Sequence, residues 1–165
     1  MHVPPLAKSF DLKPYLGRWI HWSRIAPCFF PGRGRRAAKI DPELAPIRDC
    51  GGVYVMIWEK SPGRVLHTDR AVVYIGETAN FGVRMADWAW SAGFWGKRKK
   101  GHSAAWRWKE GAEHFSVAFF VVEPPVSKRL AKHVRVYYEI IGTEEYRSRH
   151  GQLPRANEWE ELDKV

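Results

Sequence analysis

Three short runs of apolar residues constrain the fold of this chain more than any other feature of its sequence. Two of them, Val53–Trp58 and Ala71–Gly76, are close together, and Phe115–Glu123 follows later. A short run that is apolar on both faces is typical of a strand covered on both sides of its sheet. A turn-containing segment joins the first two runs, which favours an antiparallel pair. We expect an α/β (α+β) domain with a small, three-stranded, largely antiparallel central sheet flanked by helices.

The flanking helices are predicted from apolar spacing and from capping residues. One helix follows Thr78 or Asn80, either of which can cap it, and carries apolar residues at helical spacing at Phe81, Met85 and Trp88. A long helix follows Ser127, and its two apolar faces predict burial around much of its circumference. Those faces comprise Leu130, Val134, Tyr137 and Ile141, and then Val136 and Ile140. A last helix is predicted to start at Asn157, from the capping-box spacing of its first residues.

The first 50 residues differ in character from the rest. Prolines recur throughout them, and residues 31–39 combine turn residues with positive charge. We interpret residues 1–50 as an N-terminal arm that packs loosely or wraps the domain, with one short helix near Pro14–Ser23. Residues 51–165 form the predicted regular domain.

The net charge indicates a polyanionic partner. The chain carries a formal charge of +9 and has a pI of about 9.8, which suits nucleic acid or an anionic membrane surface. No apolar segment approaches the roughly 20 residues that span a bilayer, and the first residues do not resemble a signal peptide. These features favour a cytoplasmic protein that binds nucleic acid and no membrane. Cys28 and Cys50 have no partner at zinc-ligand spacing, so we interpret them as reduced and structural.

A basic loop is the candidate nucleic-acid contact. Its cations are Lys97, Arg98, Lys99 and Lys100, and they are predicted to contact phosphates. Three tryptophans flank the loop, at positions 95, 106 and 108. Tryptophans can stack on bases or wedge between them, but packing under the loop is the commoner arrangement and is our expectation.

Two charged residues suggest chemistry on a phosphodiester. Glu139 lies in the otherwise apolar segment 136–141, where a carboxylate must be paired, protonated or bound to a cation. Arg84 follows closely after a strand end. A carboxylate can hold a hard divalent ion, and an arginine can stabilise charge that develops on a phosphate. Arg135 lies at i−4 from Glu139, so a structural ion pair is the alternative for that carboxylate.

The order of these residues resembles the GIY-YIG nuclease superfamily. Gly52-Val53-Tyr54 and Tyr74-Ile75-Gly76 are similar to its paired motifs, with Val in place of the first Ile. Arg84 follows the second motif by eight positions, Glu139 is the helical glutamate, and Pro154 and Asn157 match a closing Pro-x-x-Asn. The resemblance covers residues 51–157.

The resemblance implies an endonuclease that hydrolyses DNA with one Mg²⁺, or with Mn²⁺. Glu139 would bind the metal. Tyr54 would orient or deprotonate the attacking water with support from Tyr74, and Arg84 would stabilise the transition state. Asn157 would buttress the site, although it could equally only cap the last helix.

The chain also departs from the family pattern. Many relatives carry His or Tyr four positions after the arginine, where this chain has Trp88, which cannot relay a proton. His102 is our candidate for that role, although a histidine in a basic loop is more simply a surface residue. Glu77, where some relatives place Lys, has no assigned role. Residues 59–71 make the spacing between the motifs longer than usual, and form either a substrate-contacting hairpin or a longer turn.

Several alternatives stay open. A module of the same fold that binds nucleic acid without cutting it is the main rival, and a peripheral membrane protein is a remote one. RNA is a second candidate substrate. The enzyme would be restriction-type or structure-selective, and cutting both strands of a duplex would need a homodimer or two sequential events.

Overall fold

A computed structural model describes residues 8–29, 41–94, 102–122 and 127–162. The strands are β1 (Ile20–His21), β2 (Gly52–Trp58), β3 (Val72–Thr78) and β4 (Phe115–Val121). The helices are α1 (Trp22–Phe29), α2 (Phe81–Ala92), α3 (Ser103–Arg107), α4 (Lys128–His150) and α5 (Arg155–Leu162). Short 3₁₀ turns lie at Tyr15–Gly17 and Ala45–Ile47. The protein is thus a mixed α+β fold.

The strands form one antiparallel sheet in the order β1-β4-β2-β3. The expected antiparallel arrangement is confirmed, but the expected number of three strands is wrong. The fourth strand, β1, pairs Ile20 with Val117 of β4. The sequence does not predict β1, because a strand of two residues is too short to show a period of two. β3 lies at one edge of the sheet, with Tyr54 of β2 opposite its Gly76.

Both faces of the sheet are covered, which explains why its strands are apolar at nearly every position. On one face, β2, β3 and β4 contribute to a buried cluster that includes residues of α1, α2 and α3. Tyr54, Tyr74 and Phe119 point to that side. On the other face, Val55 and Ile75 pack in a second cluster with residues of α4. Side chains that alternate along each strand therefore enter different clusters.

Residues before the first predicted strand belong to these clusters as well. Ile20, Trp22, Ile25, Leu44 and Ile47 are buried in the first cluster, and Phe10 is buried in the second. We expected an arm that packs loosely or wraps the domain, and the burial of these side chains excludes only the loose packing. The short helix expected near Pro14–Ser23 is a 3₁₀ turn at Tyr15–Gly17, and α1 begins only at Trp22.

Two of the predicted helix caps are confirmed. Asn80 accepts a hydrogen bond from the backbone N–H of Val83 at 2.9 Å, and Ser127 accepts one from Leu130 at 3.3 Å. Two other expectations for the helices are wrong. α5 begins at Arg155 rather than Asn157. Ile140 is 53% exposed, so α4 is buried on one side rather than around most of its circumference.

No helix within the described ranges is both long enough and apolar enough to cross a bilayer. α4 has the length, since it runs over 23 residues, but nine of those residues are Lys, Arg or Glu.

Candidate active site

The two tyrosines of the paired motifs meet beside Gly76. Tyr54 on β2 and Tyr74 on β3 lie on the same face of the sheet, with ring centroids 5.7 Å apart. A Cβ built on Gly76 would lie 2.9 Å from each hydroxyl oxygen and would overlap Cε1 of Tyr74. Glycine is therefore required there because both hydroxyls occupy the space that a side chain would fill. The sequence shows Gly76 as part of a motif but does not show this reason for it.

His102 is the third member of this group. Its Nε2 lies 3.4 Å from the hydroxyl of Tyr54, and its ring centroid is 5.3 Å from that of Tyr74 and 4.9 Å from that of Trp88. Its backbone N–H donates to Ser91 Oγ at 2.8 Å. The side chain is only 2% exposed, so the simple expectation of a surface histidine is wrong. Trp88 forms part of the surface against which His102 packs.

The protonation of His102 follows from its surroundings. Burial, with a smaller contribution from Arg84, lowers the pKa of His102 to about 3. Nδ1 accepts a hydrogen bond from the N–H of Ala105 at 3.4 Å and so caps α3. In the neutral ring the proton then belongs on Nε2, which can donate it to the Tyr54 oxygen. His102 is placed to stabilise a tyrosine oxygen that carries negative charge, and is a poor proton acceptor near neutral pH.

Arg84, in the first turn of α2, supplies positive charge to the same place. Burial acts to lower the pKa of Arg84, but attraction to neighbouring acidic groups outweighs it and the pKa is raised. Those groups are Tyr54, Tyr74, Asp87 and Glu77. The attraction is mutual, so the Arg84 guanidinium favours the phenolate form of either tyrosine.

Asn157 binds the backbone of Ile75 at the outer edge of β3, between Tyr74 and Gly76. Its Nδ2 donates to the Ile75 carbonyl at 2.7 Å, and its Oδ1 accepts from the Ile75 N–H at 2.9 Å. Both bonds are buried. Because α5 begins before Asn157, this side chain is not the cap of the helix. Its amide group makes the two hydrogen bonds to Ile75 that a neighbouring strand would otherwise make at this edge.

Glu139 approaches β3 from the opposite face of the sheet. On α4, the Nε of Arg135 donates to Glu77 Oε2 at 2.9 Å, and a Cβ built on Gly142 would lie 3.5 Å from Cγ2 of Ile75. Residues 135, 139 and 142 are spaced i, i+4 and i+7 and share one side of the helix. Glu139, which is half-buried, thus faces β3 between the levels of Glu77 and Ile75.

The ion pair between Glu77 and Arg135 was not predicted. From sequence, Arg135 was a candidate partner for Glu139, and Glu77 had no assigned role. The pair joins residues 58 positions apart and fixes α4 against the end of β3, with side chains only 20% and 10% exposed. No local spacing reveals a contact between residues so distant in the chain.

The other candidate contacts divide into several groups. Lys97, Arg98, Lys99, Lys100 and Trp95 lie outside the described residues. Trp108 is fully buried, as expected, with the Arg155 guanidinium 4.5 Å from its ring centroid. Trp106 differs from the expectation of packing, because it is 39% exposed.

Residues 59–71 form a longer turn rather than a hairpin, since they contain no strand. The turn is fastened to α4 by hydrogen bonds. The Tyr146 hydroxyl donates to the Arg70 carbonyl at 3.3 Å, and Nε2 of His150 lies 2.8 Å from the Thr68 carbonyl. His67 pairs with Glu145 at 2.6 Å. The turn is thus bound to the second half of α4.

Comparisons with known proteins do not extend these observations: no protein-family model, no curated protein and no solved structure matches this chain.

Proposed function

We propose that this chain is an endonuclease of the GIY-YIG type that hydrolyses DNA phosphodiester bonds with Mg²⁺ or Mn²⁺. The observation that carries the proposal is the convergence of the two tyrosine hydroxyls with Arg84 and His102 beside Gly76. An oxygen base surrounded by a guanidinium and an N–H donor is suited to take a proton from water. The same cation can stabilise charge on a phosphate.

In the proposed reaction, a water oxygen attacks phosphorus and the bond from phosphorus to the 3′ oxygen breaks. Tyr54, in its phenolate form, takes the proton of the attacking water and later releases it to solvent, while Tyr74 and the Nε2–H of His102 orient the Tyr54 oxygen. The departing 3′ oxygen takes a proton from solvent. Arg84 binds the nonbridging oxygens, where negative charge increases during attack.

Glu139 is the proposed metal ligand. Within the described residues no group of three or more His, Cys, Asp or Glu side chains is arranged to hold a metal. Mg²⁺ does not require such a group, because it commonly binds one or two carboxylates, several waters and the substrate phosphates. A single half-buried carboxylate facing β3 fits that kind of site and would fit a zinc site poorly. When bound, the ion would supply Lewis-acid stabilisation of the phosphate.

The experiment that tests the proposal is cleavage of supercoiled plasmid with Mg²⁺, with EDTA as the first control. Glu139→Ala and Tyr54→Phe should each abolish most nicking, with a loss of about 10²-fold or more. Glu144→Ala is the matched control, since Glu144 is a carboxylate on the same helix whose side chain is 55% exposed and pairs with Arg147. It should cut like the wild type. Nicking that persists in Glu139→Ala would contradict the assigned metal ligand.

The substrate and assembly require further arms of the same assay. Discrete bands would indicate a restriction-type enzyme, and preferential cutting of branched DNA a structure-selective one. An RNA of the same sequence tests the other nucleic acid. A homodimer, or two sequential nicks, would be needed to cut both strands. The order of nicked and linear products distinguishes these routes.

A second candidate function is a nucleic-acid-binding module that does not cut. The observation that favours it is the complete burial of Tyr54, which leaves no contact between its side chain and solvent in this conformation. A base must touch its water, so cleavage requires the site to open. Wild-type protein that binds DNA but never nicks it, with Mn²⁺ or with branched substrates, would establish the binding module instead.

A further inference from the structure

One side of α3 presents a set of side chains that the proposed chemistry does not use. Ser103, Trp106 and Arg107 are spaced i, i+3 and i+4 and form what we call the outer face of α3. Ala104 and Ala105 on the inner side are fully buried. Among the aromatic side chains that the structure describes, Trp106 is the one in the exposed class, while the others are buried or half-buried.

The outer face of α3 lies next to the candidate active site. α3 begins directly after His102, whose Nε2 is 3.4 Å from the Tyr54 hydroxyl. At a rise of about 1.5 Å per residue, Trp106 lies only about 6 Å along the helix from His102. The exposed indole of Trp106 is therefore about one helical turn from His102, a member of the site proposed to cleave the DNA.

The charge around Trp106 suits a polyanion. Arg107 follows it directly and Lys109 is exposed. Arg155, which extends across the neighbouring Trp108, is paired with Glu110 at 2.7 Å, so Arg107 and Lys109 supply the positive charge. Cations beside an exposed aromatic plane are the combination with which proteins hold single-stranded nucleic acid, because the cations attract phosphates and the ring stacks on a base.

We propose that the outer face of α3 binds the nucleotide next to the cleaved phosphate, with an unpaired base stacked on Trp106 and a phosphate near Arg107. This inference rests on the proposed nuclease function and specifies its substrate. A base inside a duplex is stacked on both of its faces, so only an unpaired or extruded base can offer a face to Trp106. The substrate is therefore DNA with an unpaired base beside the cleavage point.

The test measures DNA binding in EDTA, where no metal-dependent cleavage occurs. Fluorescence anisotropy gives the dissociation constants for a labelled duplex with a one-base bulge and for the fully paired duplex. Trp106→Ala should raise the constant for the bulged duplex about 5- to 150-fold and leave that for the paired duplex nearly unchanged. Trp106→Phe should keep most of the affinity. Leu66→Ala, which removes an apolar side chain of similar exposure from the turn 59–71 that is bound to α4, should have no effect.

A change in the DNA provides the complementary variant. Replacing the bulged nucleotide with an abasic one removes the base but keeps its phosphate, so wild type and Trp106→Ala should bind this DNA equally. Trp106→Leu keeps an apolar side chain but no stacking plane and should behave like Trp106→Ala. If circular dichroism shows that Trp106→Ala is unfolded, Trp106→Leu takes its place in the binding measurements.

The outcomes separate this inference from the proposed function. If Trp106→Ala and Trp106→Leu both bind the bulged duplex as tightly as the wild type, while the wild type still cuts plasmid, only the role of the outer face of α3 is overturned. If Trp106→Ala weakens the binding of bulged and paired duplexes equally, Trp106 contacts the DNA backbone. The proposed contact with an unpaired base is then overturned. Wild-type protein that neither binds nor cuts DNA overturns both proposals.

Discussion

Replacing Asn157 tests how the edge of β3 is held at the candidate site. Asn157→Ala removes two buried hydrogen bonds and leaves the N–H and the carbonyl of Ile75 without these partners. A buried backbone group left unsatisfied costs about 1–3 kcal/mol, so the expected loss of unfolding free energy is about 2–6 kcal/mol. That is a large part of the ~5–15 kcal/mol that typically separates folded from unfolded protein.

Urea unfolding at pH 7 measures this loss. Asn80→Ala is the matched control, because Asn80 makes a side-chain hydrogen bond to one backbone N–H as a helix cap. Removal of such a cap costs about 1 kcal/mol. If Asn157→Ala cost no more than Asn80→Ala, the two bonds to Ile75 would not hold the strand, and the buttressing role would be refuted.

Asn157→Asp adds a dependence on pH that a purely steric effect would lack. The introduced carboxyl can donate to the Ile75 carbonyl only when it is protonated, so folding should raise its pKa above that of the unfolded chain. Its stabilising contribution is therefore present at low pH and lost as the pH rises through the folded pKa. Relative to the wild type at each pH, Asn157→Asp should be less destabilised at pH 4 than at pH 7.

Three further predictions concern the neighbours of these residues. Gly76→Ala should displace the tyrosine hydroxyls by about 0.5–1 Å and lower nicking by about 10- to 100-fold, whereas Gly63→Ala, where a Cβ meets nothing within 4 Å, should not. Glu77→Gln should lower the unfolding free energy by about 1–3 kcal/mol through its bond to Arg135, measured in urea, and raise the Mg²⁺ concentration for half-maximal nicking. Because the folded pKa of His102 is depressed from 6.5 to about 3, stability should fall as the pH is lowered through that window, by about 1.4 kcal/mol per pH unit. His102→Gln should remove this part of the slope, measured from urea midpoints between pH 7 and pH 4.

The strands that could be predicted are those with enough residues to show a pattern. β2, β3 and β4 each contain seven residues, and their apolar runs reveal strands that are covered on both faces. β1 contains two residues, and its place in the sheet is set by β4 rather than by its own sequence. α3 contains five residues, and its only local signal was the small residues at 103–105. Such short elements depend on tertiary contacts.

The candidate site was predictable as an ordered set of residues but not as a geometry. The spacing of the motifs indicated Tyr54, Tyr74 and Arg84, which the structure brings together. It could not show that His102 reaches Tyr54 across 48 positions, or that Glu77 pairs with Arg135. These contacts are set by the packing of helices on the sheet, and packing carries no local sequence period. The burial of His102 was missed for the same reason.

The position of β3 at the edge of the sheet explains how one phosphate could meet groups from both faces. Within the interior of a sheet, the hydrogen-bonded backbone separates side chains on opposite faces. Here Tyr54, the proposed base, lies with Tyr74 on one face of the sheet, and Glu139 on α4 approaches β3 from the other face. The base and the proposed metal ligand can therefore contact the same phosphate only around the edge of β3. Asn157 covers that edge at Ile75, and the adjacent Gly76 is buried, with the two tyrosine hydroxyls in the space where a side chain would lie. For the proposed reaction, the site must therefore open at Gly76 to admit the scissile phosphate, and any larger residue there should weaken substrate binding and nicking together.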